Sequence, residues 1–354
     1  MGPQGSAGRY ARQVRLAPIG EDGQRRIRAA HVLVVGCGAL GTAVSELLAR
    51  AGVGTITLVD RDVVEWSNLQ RQFLFDEEDA RRGLPKVEAA KARLGRINAD
   101  VRVRSFFDDF NPSNAERYAE GVDVAVDGLD NLETRYLLND VATLRELPYI
   151  YGAAVATDGM SATLVPGRTA CLRCLFPEPP PAGSLPTCES AGVLGAVTAL
   201  VASIEAAEAV KLIVGGIEAV SRDIVSFDLW RNLWRRTSID DARDPECPCC
   251  GRKRFEFLDG SRSSEVTVLC GRNAVQFAPP RRESPPPLDV VERRLVDHDE
   301  LQRDATSVTC RLRGVTSPDG GPIRLTVHAD GRVVVRGVRE PELAKSIVAR
   351  FVGR

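Results

Sequence analysis

Histidine is scarce in this chain. Three occur in 354 residues, His31, His298 and His328, too few to favour a mixed Cys/His metal centre, and none is given a role. Long apolar runs are also missing. The longest uncharged stretch, residues 190–204, falls short of the ~18 residues that suggest a membrane span and reads as a buried helix. The first residues hold no apolar core of a secretory signal. Met1, Gly2 and Ser6 match a myristoylation pattern formally, but Pro3 and the lack of other membrane features speak against it. A cytoplasmic setting is therefore expected, where nine cysteines serve metal binding or thiol chemistry instead of disulfides. A net charge of -1 gives no reason to expect nucleic acid or a membrane surface as partner. No internal repeat is found.

The pattern that is present alternates strand and helix. Apolar runs at residues 32–35, 55–59, 101–103, 122–126 and 149–151 read as strands. Residues 39–50, 85–97 and 132–144 read as helices, and Asn111-Pro112 as a helix start. This alternation predicts an α/β fold: a Rossmann-like, mostly parallel sheet with helices on both faces. Pro177 to Pro181 marks an exposed loop before a long helix at 191–214. Three regions follow: a larger α/β domain over 1–258, a Pro-rich linker with a strand segment over 259–287, and a small α+β domain over 288–354. In the last, helices are expected at 288–296 and 342–351. Strands are expected at 307–312, 325–328 and 333–335, with a tight turn at Asp330-Gly331.

The first strand runs into G-C-G-A-L-G, with Gly36, Gly38 and Gly41. Glycine lets backbone pass close to a phosphate, and the next helix offers free N–H groups and a positive dipole end. Asp60 closes the second strand, where an acid can accept from ribose hydroxyls. Read alone, the loop is a tight strand-to-helix turn, and Asp60 a cap or a solvated turn residue. The next segment, E-W-S-N-L-Q-R-Q-F, adds Asn68, Gln70, Arg71 and Gln72. Those groups suggest work on phosphates, beyond holding a redox cofactor.

Two C-x-x-C pairs, Cys171/Cys174 and Cys247/Cys250, suit a closed, structural tetrahedral zinc. Cys249 is a rival ligand, but only Cys250 keeps the two-residue spacing. Cysteines packed as small hydrophobes are the plain alternative.

R-Y-A-R-Q (9–13), G-C-G-A-L-G, S-N-L-Q-R-Q (67–72), G-L-P-K (83–86), G-L-D-N (128–131), T-C-E-S-A-G (187–192) and the two cysteine pairs follow in order. Over residues 9–255 the chain resembles the ThiF/MoeB family, bacterial relatives of ubiquitin-activating enzymes. The resemblance implies an ATP-dependent adenylyltransferase that activates the C-terminal Gly-Gly carboxylate of a ubiquitin-like sulfur-carrier protein and releases pyrophosphate. It implies a homodimer, a structural Zn²⁺, Mg²⁺, ATP as substrate and a sulfur-donor protein. Arg71 and Lys86 would bind phosphates and Asn68 and Gln72 orient them. Arg12 would reach in from the neighbouring subunit, and Asp130 would hold Mg²⁺. Cys188 matches a cysteine that takes part in sulfur transfer in ThiF-type relatives, and the start of the long helix is expected to lower its thiol pKa.

Each assignment has a plainer rival: a surface ion pair for Arg71, a solvated first-turn lysine for Lys86, a helix cap for Asp130, an incidental thiol for Cys188. Cys310 opens C-R-L-R-G-V-T-S, faintly like a sulfurtransferase loop, but its tail is too short for that domain. Cys270 reads as packing. Rival functions are an NAD-dependent dehydrogenase, which would need neither the 67–72 segment nor four cysteines, and a non-catalytic scaffold. A third keeps the chemistry but adenylates a peptide or another small carboxylate.

Overall fold

The computed structural model describes residues 8–180, 186–188, 190–262, 266–269, 273–277, 285–304 and 307–353. Cys270 and much of the Pro-rich stretch lie outside them. The chain divides into two compact units, one ending at Arg262 and the other starting at Ser263.

The first unit is built on one eight-stranded sheet. Its strands are β1 His31–Val35, β2 Thr55–Asp60, β3 Arg102–Phe107, β4 Val124–Asp127, β5 Tyr149–Val155, β6 Asp158–Leu164, β7 Asp223–Asp228 and β8 Leu233–Ser238. The order is β3-β2-β1-β4-β5-β6-β7-β8. The first five pair in parallel, and β6 to β8 add antiparallel. Helices are α1 Gly20–Ala29, α2 Ala39–Ala51, α3 Lys86–Ile97, α4 Leu132–Leu144 and α5 Gly195–Gly215.

Alternate side chains of each strand feed opposite faces, as the pleat requires. Val32 and Val34 join Ile56, Leu58 and Val126 under α2, α3 and α5, whose Leu48, Leu94 and Ala202 fill the same core. Leu33, Val35 and Ala125 join Tyr149 and Tyr151 under α4, which supplies Leu137, Leu138 and Val141. Two covered faces explain why the inner strands read as continuous apolar runs. The strand order reverses between β1 and β4, and in open α/β sheets ligands bind at the carboxyl ends of the strands at such a point.

The second unit is a six-stranded antiparallel sheet with two helices, α6 Leu288–Leu295 and α7 Pro341–Phe351. Its strands β9 Val266–Leu269 and β10 Ala274–Phe277 fall in the stretch read as a Pro-rich linker with a strand segment, and both join the sheet. Asp330-Gly331 makes the turn joining β13 Pro322–His328 to β14 Val333–Arg336, with His328 donating to the Arg332 carbonyl at 2.8 Å. Cys310 is fully buried on β12 Ser307–Thr316.

Candidate nucleotide site and metal centre

The glycine loop and the G-L-D-N segment are one structure. The Gly36 N–H donates to the Val59 carbonyl and the Gly128 N–H to the Val35 carbonyl, so the ends of β1, β2 and β4 are laced together. Gly36 adopts φ +92°, and a Cβ there would stand 2.5 Å from the Gly128 carbonyl oxygen. A Cβ on Gly41 or Gly128 would run into the Gly36 carbonyl. Gly38 meets no such obstacle; its nearest neighbours would be the Gly128 carbonyl and the Gln72 side-chain nitrogen.

Asp60 ends β2 beneath this loop. Its Oδ2 accepts from the Cys37 N–H and its Oδ1 from the Asp62 N–H, both at 2.6 Å. Burial pushes its pKa up, Asp62 adds to this, and Lys86 opposes it. Lys86, at the start of α3, is buried, with Nζ 3.1 Å from Asp62 Oδ2. Burial works against its charge, but Asp62 and Asp60 prevail and raise its pKa. Lys86 is therefore no solvated lysine. Sequence reasoning missed Asp62 and also Arg61, which pairs with Asp109 at 2.7 Å.

The 67–72 segment is a 3-10 turn, Trp66–Asn68, followed by a tight bend. Asn68 is buried, and its Oδ1 accepts from the Glu65 N–H at 3.0 Å, so that oxygen shapes the turn. Gln72 is buried beside Gly38, with its Oε1 lacking a protein partner. Arg71 is half-buried and donates to the Ser67 carbonyl at 2.8 Å. The first residue of α5, Gly195, packs on the Gln70 carbonyl and the Arg71 backbone.

Asp130 is exposed just before α4 and does not cap it; the Asn131 side chain accepts from Thr134 N–H instead. Its charge is felt at Arg61, Lys86, Arg135 and Cys188, so all four lie within electrostatic reach of it. Cys188 Sγ donates to the Ala154 carbonyl at 3.3 Å. The expected lowering of its pKa is overturned. Burial and Asp130 raise it, against Arg71 and Arg135. The long helix begins only at Gly195, because residues 192–194 are strapped to Ala156 by backbone hydrogen bonds.

Beneath the G-L-D-N turn lies a buried network that the sequence did not announce. Arg135 lies 3.1 Å from Asp127 and donates to the carbonyls of Leu129 at 2.6 Å and Gly152 at 2.8 Å. Tyr149 Oη donates to Asp127 Oδ2 at 2.7 Å. Arg12 stands exposed on the short helix Ala11–Val14, between a buried Tyr10 and a Gln13 that bonds Gln24 and the Ala51 carbonyl.

The four cysteines Cys171, Cys174, Cys247 and Cys250 converge, with all sulfurs within 4.8 Å of one another. Measured separations are 3.6 Å for Cys171–Cys247, 3.8 Å for Cys171–Cys174 and 3.3 Å for Cys174–Cys250. A tetrahedral thiolate site with bonds of about 2.3 Å has edges of about 3.8 Å, so the group can hold a metal ion. Cys249 is not one of the four; its sulfur accepts from Asn139 Nδ2 at 3.2 Å and also bonds with Cys171 and Asp140. Among the described residues no helix is long and apolar enough to cross a membrane.

A doubly wound sheet with a glycine loop at its switch point, flanked by cations and joined by a four-cysteine cluster able to hold a metal ion, defines the nucleotide-binding class of α/β proteins. The ThiF family model matches residues 10–249, and the chain belongs to that family. It is 38% identical to the sulfur carrier protein ThiS adenylyltransferase of Bacillus subtilis, over 98% of this chain and 99% of that one. It is 40% identical to the SAMP-activating enzyme E1 of Haloferax volcanii, over 71% and 91% respectively. Among solved structures, E. coli MccB with ATP aligns at 26% identity and a TM-score of 0.59, covering 69% of this chain and 74% of that one.

Proposed function

We propose that this chain is an ATP-dependent adenylyltransferase. It activates the C-terminal Gly-Gly carboxylate of a ubiquitin-like sulfur-carrier protein as an acyl-adenylate and releases pyrophosphate. The carrying observation is that Lys86, linked through Asp62 and Asp60 to the glycine loop, and Arg135, bonded to the Leu129 carbonyl, flank the Gly36–Gly128 contact. The reaction brings two anions together, so the site must neutralise charge and hold the α-phosphate in line with the attacking carboxylate oxygen.

Gly36, Gly38 and Gly41 let the nucleotide approach the backbone, and Asp60 stands where it can accept from the ribose. Lys86 and Arg71 bind the phosphates, with Lys86 exchanging Asp62 for a phosphate oxygen. Gln72 offers its side-chain amide N–H to orient them, and Asn68 Nδ2, which donates to Ser67 Oγ at 3.5 Å, turns to the same task. The carboxylate attacks the α-phosphorus, a P–O bond forms, and the bond to pyrophosphate breaks. Asp130 is exposed and single, a donor set suited to Mg²⁺, which fills most of its coordination with water and phosphate oxygens. That ion would screen the phosphates and ease pyrophosphate departure. The four cysteines would hold Zn²⁺ in a structural role.

Arg12 is exposed while Tyr10 and Gln13 anchor the segment, which supports its donation to a neighbouring subunit of a homodimer. Cys188, close enough to Asp130 and Arg71 to feel their charges, is the candidate for the linkage through which sulfur, brought by a donor protein, reaches the carrier. The setting would be the cytoplasm. A protein substrate is supported by one hairpin, β7–β8, that exposes Trp230, Leu233 and Trp234 together. The likeness to MccB, seen in complex with N-formylated MccA, fits a second reading, a peptide or another small carboxylate activated by the same chemistry, no better than the first.

The deciding measurement is exchange of labelled pyrophosphate into ATP, with zinc-loaded protein and candidate Gly-Gly-ended carriers. Carrier-dependent exchange supports the reading. Exchange with peptides alone moves it to the second, and none with either overturns both.

A further inference from the structure

Helix α4 is held at its start and again two turns further along. At its start, Asn131 caps the first turn and the Leu129 N–H donates to Asp127 Oδ1 at 2.9 Å, shaping the turn that carries Asp130. Two turns further on come Asn139 and Asp140, both buried. Asn139 Oδ1 accepts from the Leu172 N–H at 2.8 Å, inside the first cysteine pair. Its Nδ2 donates to Cys249 Sγ at 3.2 Å, inside the second pair. One amide therefore grips both halves of the four-cysteine centre. Asp140 Oδ2 accepts from the N–H groups of Phe257 and Leu258 at 2.9 and 3.3 Å, so the chain leaving the second pair docks on the same helical turn.

The geometry points to Cys249 as a positioning residue: through Asn139 it ties the four-cysteine centre to α4, so that closing this centre fixes the turn bearing Asp130. Both bonds of Asn139 form together only when the two cysteine pairs stand at one mutual spacing, and a metal held by all four thiolates sets that spacing. The helix is stiff, and the span from Asn139 to Asn131 is about 12 Å. A shift at one end is carried to the other. Cys249 is fully buried and is not one of the four grouped thiols; bonding with Cys171 on one side and with Asn139 and Asp140 of α4 on the other, it links the centre to the helix, a role distinct from ligation.

The test uses the full chain with zinc bound, and compares Cys249→Ala, Cys249→Ser and Asn139→Ala with the unsubstituted protein. Three quantities are read: the rate of zinc release to a chromogenic chelator, amide exchange across residues 128–134, and the magnesium concentration giving half-maximal pyrophosphate exchange. Cys249→Ala and Asn139→Ala should release zinc about tenfold faster or more. Zinc removal should speed exchange at 128–134 several-fold, and the magnesium requirement should rise while the KM for ATP stays put. Cys249→Ser, whose hydroxyl still accepts from Asn139, should recover part of the loss. Zinc release at the original rate in both variants, or exchange at 128–134 that ignores zinc, overturns the inference. If Asn139→Ala does not fold, the unsubstituted protein with and without zinc decides it. The magnesium readout rests on the proposed role of Asp130. The zinc and exchange readouts do not, so failure of the functional reading would leave them intact.

Discussion

Gly36 and Gly128 meet back to back: a Cβ on Gly36 would stand 2.5 Å from the Gly128 carbonyl oxygen, and one on Gly128 would overlap the carbonyl of Gly36. Both obstacles are backbone, so neither can turn aside. Gly128→Ala should lose about 3 kcal/mol of unfolding free energy and weaken nucleotide binding with it. Gly95→Ala is the contrast, since Gly95 is exposed in α3 with nothing within 4 Å of its missing Cβ. It should gain about 0.5–1 kcal/mol. Urea unfolding of the two variants side by side checks this, and equal effects would contradict it.

Lys86 is buried against Asp62, and its pKa is raised because Asp62 and Asp60 outweigh burial. A lysine whose folded pKa lies above its unfolded one stabilises the fold fully below pH ~10.4 and loses that contribution as pH climbs through the folded value. Thermal melts from pH 8 to 11 should show this alkaline decline, and Lys86→Met should flatten it. The same variant should lower the rate of pyrophosphate exchange by about 100-fold or more, as the loss of a preorganised charge does.

Residue types at fixed spacings were readable where one segment carries them. The glycine loop, the two cysteine pairs and the apolar runs of β1, β2 and β4 are of this kind. Strand β8 was not readable, because every residue from Leu233 to Ser238 is exposed and leaves no alternation to detect. The start of α5 was misplaced, because Val193 and Leu194 look helical but bridge and bond to Ala156. Asp62 and Arg61 were passed over although they adjoin Asp60, since their partners Lys86 and Asp109 lie far along the chain. The Asp127–Arg135 pair was hidden for a similar reason: its further partners, Tyr149 and Gly152, come from another strand.

The cysteine geometry separates two neighbours that the sequence left as rivals. Cys250 joins the four-thiol group, and Cys249 accepts from Asn139 instead. Metal analysis should find one zinc per chain. Cys250→Ser should fall below that after dialysis against a mild chelator, while Cys249→Ser should keep it. A Cys249→Ser protein that lost zinc as readily as Cys250→Ser would reverse the assignment.

Arg135 is the one cation in the described structure bonded at once to Asp127, Leu129 and Gly152. Arg135→Met would strand the fully buried Asp127 carboxylate with only Tyr149 and the Leu129 N–H as donors. Breaking one side of such a pair costs about 3–5 kcal/mol. Removing the charge as well, in an Asp127→Asn/Arg135→Met double variant, should return part of that stability. Chemical denaturation of the single and double variants measures the coupling, and strictly additive losses would show that the pair does not act as one unit.

Glu205 lies on α5 beneath β5, fully buried, with neither carboxyl oxygen bonded to a protein donor. It fits only because residue 152 is glycine; a Cβ there would meet its carboxyl group. Burial and the nearby Asp127 charge raise its pKa well above the ordinary glutamate value, with Arg135 opposing. The folded chain therefore keeps a proton that the unfolded chain gives up above pH ~4.3. Between those two pKa values the unfolded state binds fewer protons, so stability falls as pH rises, by up to about 1.4 kcal/mol per pH unit. Glu205→Gln keeps the size and removes the titration. Its advantage over the unsubstituted protein should be small at pH 5 and grow toward pH 8, reaching about 1 kcal/mol or more at pH 7. Urea unfolding across that range decides it, because a pH-independent difference would mean that Glu205 is ionised in the folded state and has found a partner.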